Sequence, residues 1–418
     1  MLHRLRVTGF KSLRDVDVEL ARLVVVFGPN AAGKSNLLES MVLLSRLVGE
    51  RTLADAFDAG IRGYPTEAFS VDPLLGAEER RALALHAEIE GADDTFLEYR
   101  VAVSIRPQSG ELGLEDELLA RLTNGAPRKR KGNPAVERVD TEAGPRIRIR
   151  RKGRQSHPFE EPPGISHTLA SNMQFAGEGR FPDFDALRGE VDAWRAVYLD
   201  PREAMRRSQP PREVEDIGER GEHLVPFLHR LRVNKAWEGH FRAIERGVRA
   251  VIPSIERIHT ELVPARGEID LFVEQDGLRM PARVVSEGTL RVLALCAMAA
   301  SPFPTRLLAF EEPENGVHPR RIEVIARTLA TASRRRQVVV TTHSPLVVSA
   351  VISMIRAREL DAQHVKLLQC SGGAEGTRIR AFEPAGELFE DTELRKALLA
   401  ADDDAVIQGA LVRGWFDD

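Results

Sequence analysis

Eight consecutive residues constrain this chain more than any others: Gly28-Pro29-Asn30-Ala31-Ala32-Gly33-Lys34-Ser35. They fit G-x-x-x-x-G-K-[ST] in full. Ahead of them runs Leu23-Val24-Val25-Val26-Phe27, an apolar β-branched stretch that predicts a buried strand. Behind them Leu37, Leu38, Met41, Leu44, Leu47 and Val48 recur at helical spacing, which predicts a helix over about 34–48. Strand, glycine-rich turn and helix are the setting of a phosphate-binding loop. Gly28 and Gly33 let the backbone turn so that successive N–H groups face an anion. The helix N-terminus adds positive partial charge. Lys34 can reach β- and γ-phosphates, and Ser35 can offer its hydroxyl to Mg²⁺.

A second motif sits far along the chain. Leu307-Leu308-Ala309-Phe310 reads as a buried strand that ends in Glu311-Glu312-Pro313. Carboxylates at the C-terminal end of a core strand lie where open α/β sheets bind ligands. Glu311 can hold the Mg²⁺ shell and Glu312 can orient an attacking water. Two shorter motifs flank this pair. Ser286-Glu287-Gly288-Thr289 lies 25 residues ahead of Glu311, and Thr341-Thr342-His343-Ser344-Pro345 follows the strand Val338-Val339-Val340. In isolation Ser286 reads as an N-cap and His343 as a structural polar residue. A His at the end of a core strand can also contact a γ-phosphate. In this order behind the first motif they are jointly specific.

The rest of the sequence bounds the answer. The chain has 418 residues, enough for two or three structural units, and is 43% hydrophobic. A net charge of −4 excludes a globally basic, nucleic-acid-coating protein. Cys296 and Cys370 are the two cysteines, so neither a disulfide scaffold nor a zinc cluster is encoded, and a reducing cytoplasm is expected. No signal peptide is read at the N-terminus, and no membrane segment is expected: the longest apolar stretch, Leu290 to Ala300, carries Arg291. Arginine outnumbers lysine 51 to 8, a bias that reflects base composition more often than nucleic-acid binding.

Strands alternate with helices at both ends of the chain, so we expect an α/β core with a mostly parallel sheet. Leu83–Ile89 and Phe96–Ile105 alternate as antiparallel strands do. Helices are expected over about 220–251, 286–300 and 319–334. Residues 124–164 are rich in Pro, Gly and Arg, with eleven Lys/Arg against three acids between Arg128 and Arg154. That composition predicts a largely exposed segment without a packed face, although Arg146–Arg150 alternates Ile and Arg as a hairpin strand would. The expected organisation is a discontinuous core over 1–89 and 281–375, an inserted β/helical lobe over 90–280, and a helical tail over 376–418.

The order of motifs resembles the soluble ABC-type ATPases of the RecF and SMC group. It is most similar to the bacterial AAA-family RecF/SMC-like ATPases, which include the ATPase part of OLD-type proteins. Leu5-Arg6-Val7-Thr8-Gly9-Phe10-Lys11-Ser12-Leu13 is similar to that group's opening strand and turn. The resemblance is dense over about 1–48 and 280–350. It implies a P-loop NTPase of ABC/SMC-head type with an antiparallel β lobe and an inserted arm. It implies ATP and Mg²⁺ as cofactors, held by Asn30, Ala31, Ala32, Gly33, Lys34, Ser35, Asn36 and Lys11, with Ser35 and Glu311 on the metal and Glu312 and His343 catalytic. Ser286 and Gly288 would form the signature motif, which in this group caps ATP held by the opposite subunit. The usual L-S-G-G-Q is here V-S-E-G-T, and the usual Asp-Glu pair is Glu311-Glu312. Gln174 and Gln155 are candidates for the Q-loop glutamine. Asn315, Gly316 and His318 occupy the D-loop region.

The resemblance also implies partners: a second copy of the chain, forming an ATP-dependent dimer or higher oligomer, and either DNA or a separate effector such as a nuclease or toxin. DNA repair or phage defence is the expected setting. A nuclease is not expected in the chain itself, because Asp402-Asp403-Asp404 reads as a solvated acidic run. A transporter ATPase is disfavoured by the roughly 250 residues between Ser35 and Ser286. A long coiled-coil arm is disfavoured by the absence of sustained heptads.

Overall fold

The computed structural model describes residues 1–58, 61–70, 80–91, 94–125, 127–151, 158–177 and 179–382. In chain order its strands are β1 (Leu2–Phe10), β2 (Leu13–Glu19), β3 (Leu23–Phe27), β4 (Arg81–Glu90), β5 (Phe96–Arg106), β6 (Glu111–Leu122), β7 (Val136–Thr141), β8 (Gly144–Ile149), β9 (Phe159–Glu161), β10 (Trp194–Val197), β11 (Ile255–Val263), β12 (Glu268–Gln275), β13 (Leu278–Pro281), β14 (Leu307–Glu311), β15 (Gln337–Thr342), β16 (Val365–Ser371) and β17 (Arg378–Phe382). The helices are α1 (Lys34–Gly49), α2 (Leu53–Asp58), α3 (Pro182–Val191), α4 (Leu224–Val233), α5 (Glu238–Val251), α6 (Glu287–Ala299), α7 (Ile322–Ser333) and α8 (Pro345–Arg356).

The chain forms two compact units. Among the described residues, the first comprises those of 1–21, 31–194 and 369–381, the second those of 22–30 and 195–368 together with Phe382. Residues 90–280 are thus shared between them.

In the first unit an eight-stranded antiparallel sheet runs β2-β1-β4-β5-β6-β7-β8-β9. Its inner face follows from period-two patterning. In β4, Leu83, Leu85, Ala87 and Ile89 are buried while the residues between them are partly exposed. α1 begins at Lys34, directly after Gly33 at a left-handed φ of 95°. Its buried stripe includes Leu37, Leu38, Met41, Leu44 and Leu47.

The segment expected to lack a packed face does not lack one. β7 and β8 form a hairpin that extends the sheet, and Val136, Ile147 and Ile149 are fully buried. A few apolar residues at period two suffice, because the sheet that β7 and β8 join supplies the other side of the core. The cations are engaged as well. Arg130 makes a two-pronged contact with Glu98 (2.5 and 2.8 Å), and Arg128 lies 3.2 Å from Glu88 and 4.3 Å over the Phe96 ring. Arg148 pairs with Glu160 and Arg150 with Glu137. Burial alone would raise the Glu98 carboxyl, but Arg130 and His86 outweigh it and hold it down at about 2.

In the second unit β14, β15 and β3 lie side by side and parallel, within the sheet order β10-β14-β15-β3-β16-β17. All five residues of β3 are buried, as the continuous apolar run requires of a strand covered on both faces. Each such side chain stabilises the fold by roughly 1.5–3 kcal/mol. Helices α4 to α8 pack their apolar faces into this core. The stretch expected to be helical over 220–251 is two helices, with Asn234 in extended conformation ending the first. A three-stranded meander, β11-β12-β13, completes the unit.

One element differs in kind from expectation. Residues 378–382, placed in a helical tail, form strand β17. Arg378-Ile379-Arg380-Ala381 alternates with period two, and the next residue, Phe382, meets Phe27 edge-on at 5.3 Å. The remainder of that tail, with Asp402-Asp403-Asp404, lies outside the described residues.

Candidate nucleotide-binding site

The loop after β3 turns through three positive φ angles: Gly28 at 148°, Ala31 at 58° and Gly33 at 95°. Residues alternating through the left-handed region aim successive N–H groups to one side, which makes an anion-binding concavity. Ala31 is the one non-glycine among them, and the left-handed region costs an L-residue about 1–2 kcal/mol. Lys34 is almost fully buried at the first position of α1. The Ala32 carbonyl accepts from Thr377 Oγ1 (2.9 Å) and Cys370 Sγ (3.1 Å). Burial pushes the Cys370 thiol up to about 12, against the opposing pull of the Lys34 ammonium. Asn36 turns its amide to Ser12 Oγ at 2.7 Å.

Lys11, expected at the nucleotide, has its ammonium engaged by the protein itself. Its ammonium pairs with the Glu39 carboxylate of α1 and donates to the Arg62 carbonyl at 2.8 Å, while Arg62 also pairs with Glu39. Glu39 is fully buried, and a buried carboxylate demands such partners. Lys11 therefore ties the β1–β2 turn to α1.

In the second unit, strand register brings three motifs to one sheet edge. Glu311 lies opposite Thr341, and Thr342 opposite Phe27. The chain leaves these parallel strands at Glu312, His343 and Gly28, all at their C-terminal ends. Glu312 has φ 45°, and its N–H donates to the Thr341 carbonyl at 3.0 Å. One carboxylate oxygen lies 3.1 Å from His343 Nδ1, and the other accepts from Asn315 Nδ2 at 2.7 Å. Glu314, which sequence reasoning passed over, is buried beside them and accepts from Thr342 Oγ1. Burial raises its carboxyl above the ordinary range. A third carboxylate in an acidic loop carries no sequence signal that separates it from its neighbours.

The turn at Ser286 opens α6. Ser286 Oγ accepts from the Thr289 N–H at 3.1 Å, a true N-cap. Gly288 lies against the turn at Gly316, expected to be the D-loop: a Cβ on it would stand 2.1 Å from the Gly316 carbonyl oxygen. Glu287, the departure from the usual signature, receives Arg202 Nε at 2.6 Å, and that hydrogen bond holds its carboxyl below the ordinary range. Arg206 donates to the Val285 carbonyl at 2.9 Å. Beside this turn is a cavity of about 660 Å³ lined by Ser286, Gly288, Thr289, Gly316, His318 and Arg320, among others.

Of the Q-loop candidates, Gln174 is exposed on a 3₁₀ turn with its N–H on Asn172 Oδ1, and Gln155 lies outside the described residues. Among the described residues no group of three or more His, Cys, Asp or Glu side chains converges as a self-contained metal site. Ser35 carries a hydroxyl and Glu311 a carboxylate, each an oxygen donor of the kind that Mg²⁺ takes. No described helix is long and apolar enough to cross a membrane.

Three comparisons bear on this arrangement. The family described as "AAA domain, putative AbiEii toxin, Type IV TA system" matches residues 23–349. An OLD nuclease of Thermus scotoductus is 21% identical over 353 residues; these are 83% of this chain and 59% of that protein, so the chain spans under two thirds of its relative's length. Among solved structures, an Smc head bound to the C-terminal winged-helix domain of ScpA is similar with a TM-score of 0.50 at 15% identity, covering 91% of this chain and 98% of that one. The Smc head from Pyrococcus furiosus, with an extended coiled coil and bound to the C-terminal domain of ScpA, gives 0.51 at 12% identity, covering 96% and 99%. The fold is that of an ABC/SMC-type head, and the chain belongs to this AAA-domain family.

Proposed function

We propose that the chain is a Mg²⁺-dependent ATPase whose copies close face to face around ATP and separate on hydrolysis. The observation that carries this reading is the shared edge of β3, β14 and β15, where the start of the phosphate-binding loop, Glu311-Glu312 and His343 follow strands in register. In this reading the N–H groups of residues 30–33 and Lys34 bind the phosphates, and Ser35 and Glu311 hold Mg²⁺, which when bound neutralises phosphate charge. Glu312 orients the attacking water through one carboxylate oxygen. Asn315 fixes the orientation of that carboxylate by a hydrogen bond, and His343 stands 3.1 Å from its other oxygen. Ser286 and Gly288 cap the nucleotide of the opposite copy, giving a two-fold interface. The Arg202–Glu287 pair supports this, since it neutralises the one carboxylate that would repel a phosphate at that turn.

The experiment is light scattering of Glu312→Gln protein with and without Mg-ATP. A doubling of mass with ATP is expected. An unchanged monomer mass with ATP demonstrably bound sinks the two-copy mechanism.

DNA repair and phage defence are the two settings we propose, and the ion pairs of the basic segment bear on the choice of partner. Arg128, Arg130, Arg148 and Arg150 all face carboxylates of their own sheet. That favours a nucleotide-gated scaffold that holds and releases a separate effector over a surface that tracks DNA phosphates. Retention of the protein on DNA at low salt, lost on neutralising Lys129 and Lys131, would reverse this preference.

A further inference from the structure

We propose that Thr377, relayed through Ser12, is a positioning residue for the phosphate-binding loop. The proposal rests on the ATP-binding reading above.

Four groups form one hydrogen-bonded line. Asn36 Nδ2 donates to Ser12 Oγ (2.7 Å), Ser12 Oγ and Thr377 Oγ1 are 2.6 Å apart, and Thr377 Oγ1 donates to the Ala32 carbonyl (2.9 Å). Proton counting gives the line a direction. Thr377 spends its hydroxyl proton on Ala32, so the proton between the two hydroxyls belongs to Ser12, which in turn accepts from Asn36. Each hydroxyl donates once and accepts once. The Ala32 carbonyl is thereby held toward Thr377. Because a trans peptide is planar, the Gly33 N–H must point the opposite way. A free peptide in this loop could rotate its N–H away from an anion; this one is restrained.

The fit is close. A Cβ on Gly33 would stand 2.0 Å from Thr377 Oγ1 and 2.8 Å from Ser12 Oγ, at a φ of 95° that already favours glycine. The second glycine of the motif is thus required by a residue 344 positions away. Thr377 is also held independently of its hydroxyl. Its N–H donates to the Ser12 carbonyl at 2.8 Å, and Gly376 lies so close to that carbonyl that a Cβ would stand 2.5 Å from it. Replacing the hydroxyl by a methyl therefore removes the relay and leaves the backbone anchor.

The test compares wild type, Thr377→Val, Thr377→Ser and Ser12→Ala by titration with a fluorescent ATP analogue, steady-state KM and kcat, and thermal melting. Thr377→Val is expected to weaken ATP about tenfold in Kd and KM, with kcat within about twofold and little change in melting temperature. Thr377→Ser is expected to restore wild-type affinity. Ser12→Ala, which breaks the line and leaves residues 376–382 unsubstituted, is expected to weaken ATP in the same direction and carries the test if Thr377→Val does not fold. Wild-type affinity in Thr377→Val or in Ser12→Ala overturns the relay, as does a loss that Thr377→Ser fails to rescue. A wild-type protein that binds no ATP overturns the ATPase reading itself, a different outcome.

Discussion

Arg202 grips Glu287 through a 2.6 Å hydrogen-bonded ion pair at the first residue of α6. In the proposed signature turn Glu287 replaces the usual glycine, and a bare carboxylate there would oppose a phosphate. Arg202→Ala should leave ATP affinity of the single chain unchanged while lowering ATP-driven association and turnover. Arg202→Ala combined with Glu287→Ala should recover much of both, because the repulsive group leaves with its partner. The pair is solvent-exposed, so no measurable change in melting temperature is expected. Equal turnover in wild type and Arg202→Ala refutes the neutralising role.

Lys34→Ala removes the cation of the phosphate-binding loop. A charge-assisted hydrogen bond is worth about 1.5–3 kcal/mol, so ATP should bind roughly ten- to a hundredfold more weakly. Isothermal titration reads this directly, and affinity within twofold of wild type would dismiss the assignment.

Glu312→Gln keeps the shape of the side chain and its contact with Asn315 but cannot act as a carboxylate. ATP binding should persist, while hydrolysis falls by roughly 10²–10⁴-fold. Phosphate release at the wild-type rate would move the catalytic role to another residue.

Gly288→Ala sets a Cβ 2.1 Å from a backbone oxygen that cannot swing away. The signature turn and the D-loop must separate, at a cost of about 1–3 kcal/mol. A lower melting temperature and lost ATP-driven association should appear together, with ATP affinity of the single chain retained. Association as in wild type would show that this packing is dispensable.

Glu117 predicts a pH dependence of folding. It is fully buried, accepts from the Leu169 and Ala170 N–H groups and from Tyr99 Oη, and burial outweighs these bonds to raise its carboxyl to about 7. A carboxyl whose folded pKa exceeds its unfolded value takes up a proton on folding. Its contribution is full below the ordinary value of 4.5 and is lost as pH rises through 7. The span corresponds to about 3 kcal/mol. Chemical denaturation of wild type should show stability falling across pH 5–8, and Glu117→Gln should flatten that slope. A slope unchanged by the substitution assigns it to other groups.

The local chemistry of the site was legible in the chain itself. Gly33 and Lys34 carry a turn and a cation wherever they follow a strand like Leu23–Phe27, since backbone freedom and charge are properties of the residues. Period-two burial in β4 and the helical stripe of α1 were equally readable, because neighbours in sequence decide them. The partner of Lys11, buried Glu39, was not legible because packing of the turn on α1 sets it. The basic segment was misread because composition does not reveal that β7 and β8 join an existing sheet, whose carboxylates at Glu88 and Glu98 then claim its arginines. Glu287 looked like a defect until Arg202, 85 positions earlier, was seen beside it. Sequence alone thus determined that a strand, a glycine-rich turn and a helix follow one another at residues 23–49. Only the tertiary structure decided which carboxylates are neutralised and that Thr377 closes over Gly33, because hydrogen bonds and ion pairs form between groups that folding brings within about 3 Å, whatever their separation along the chain.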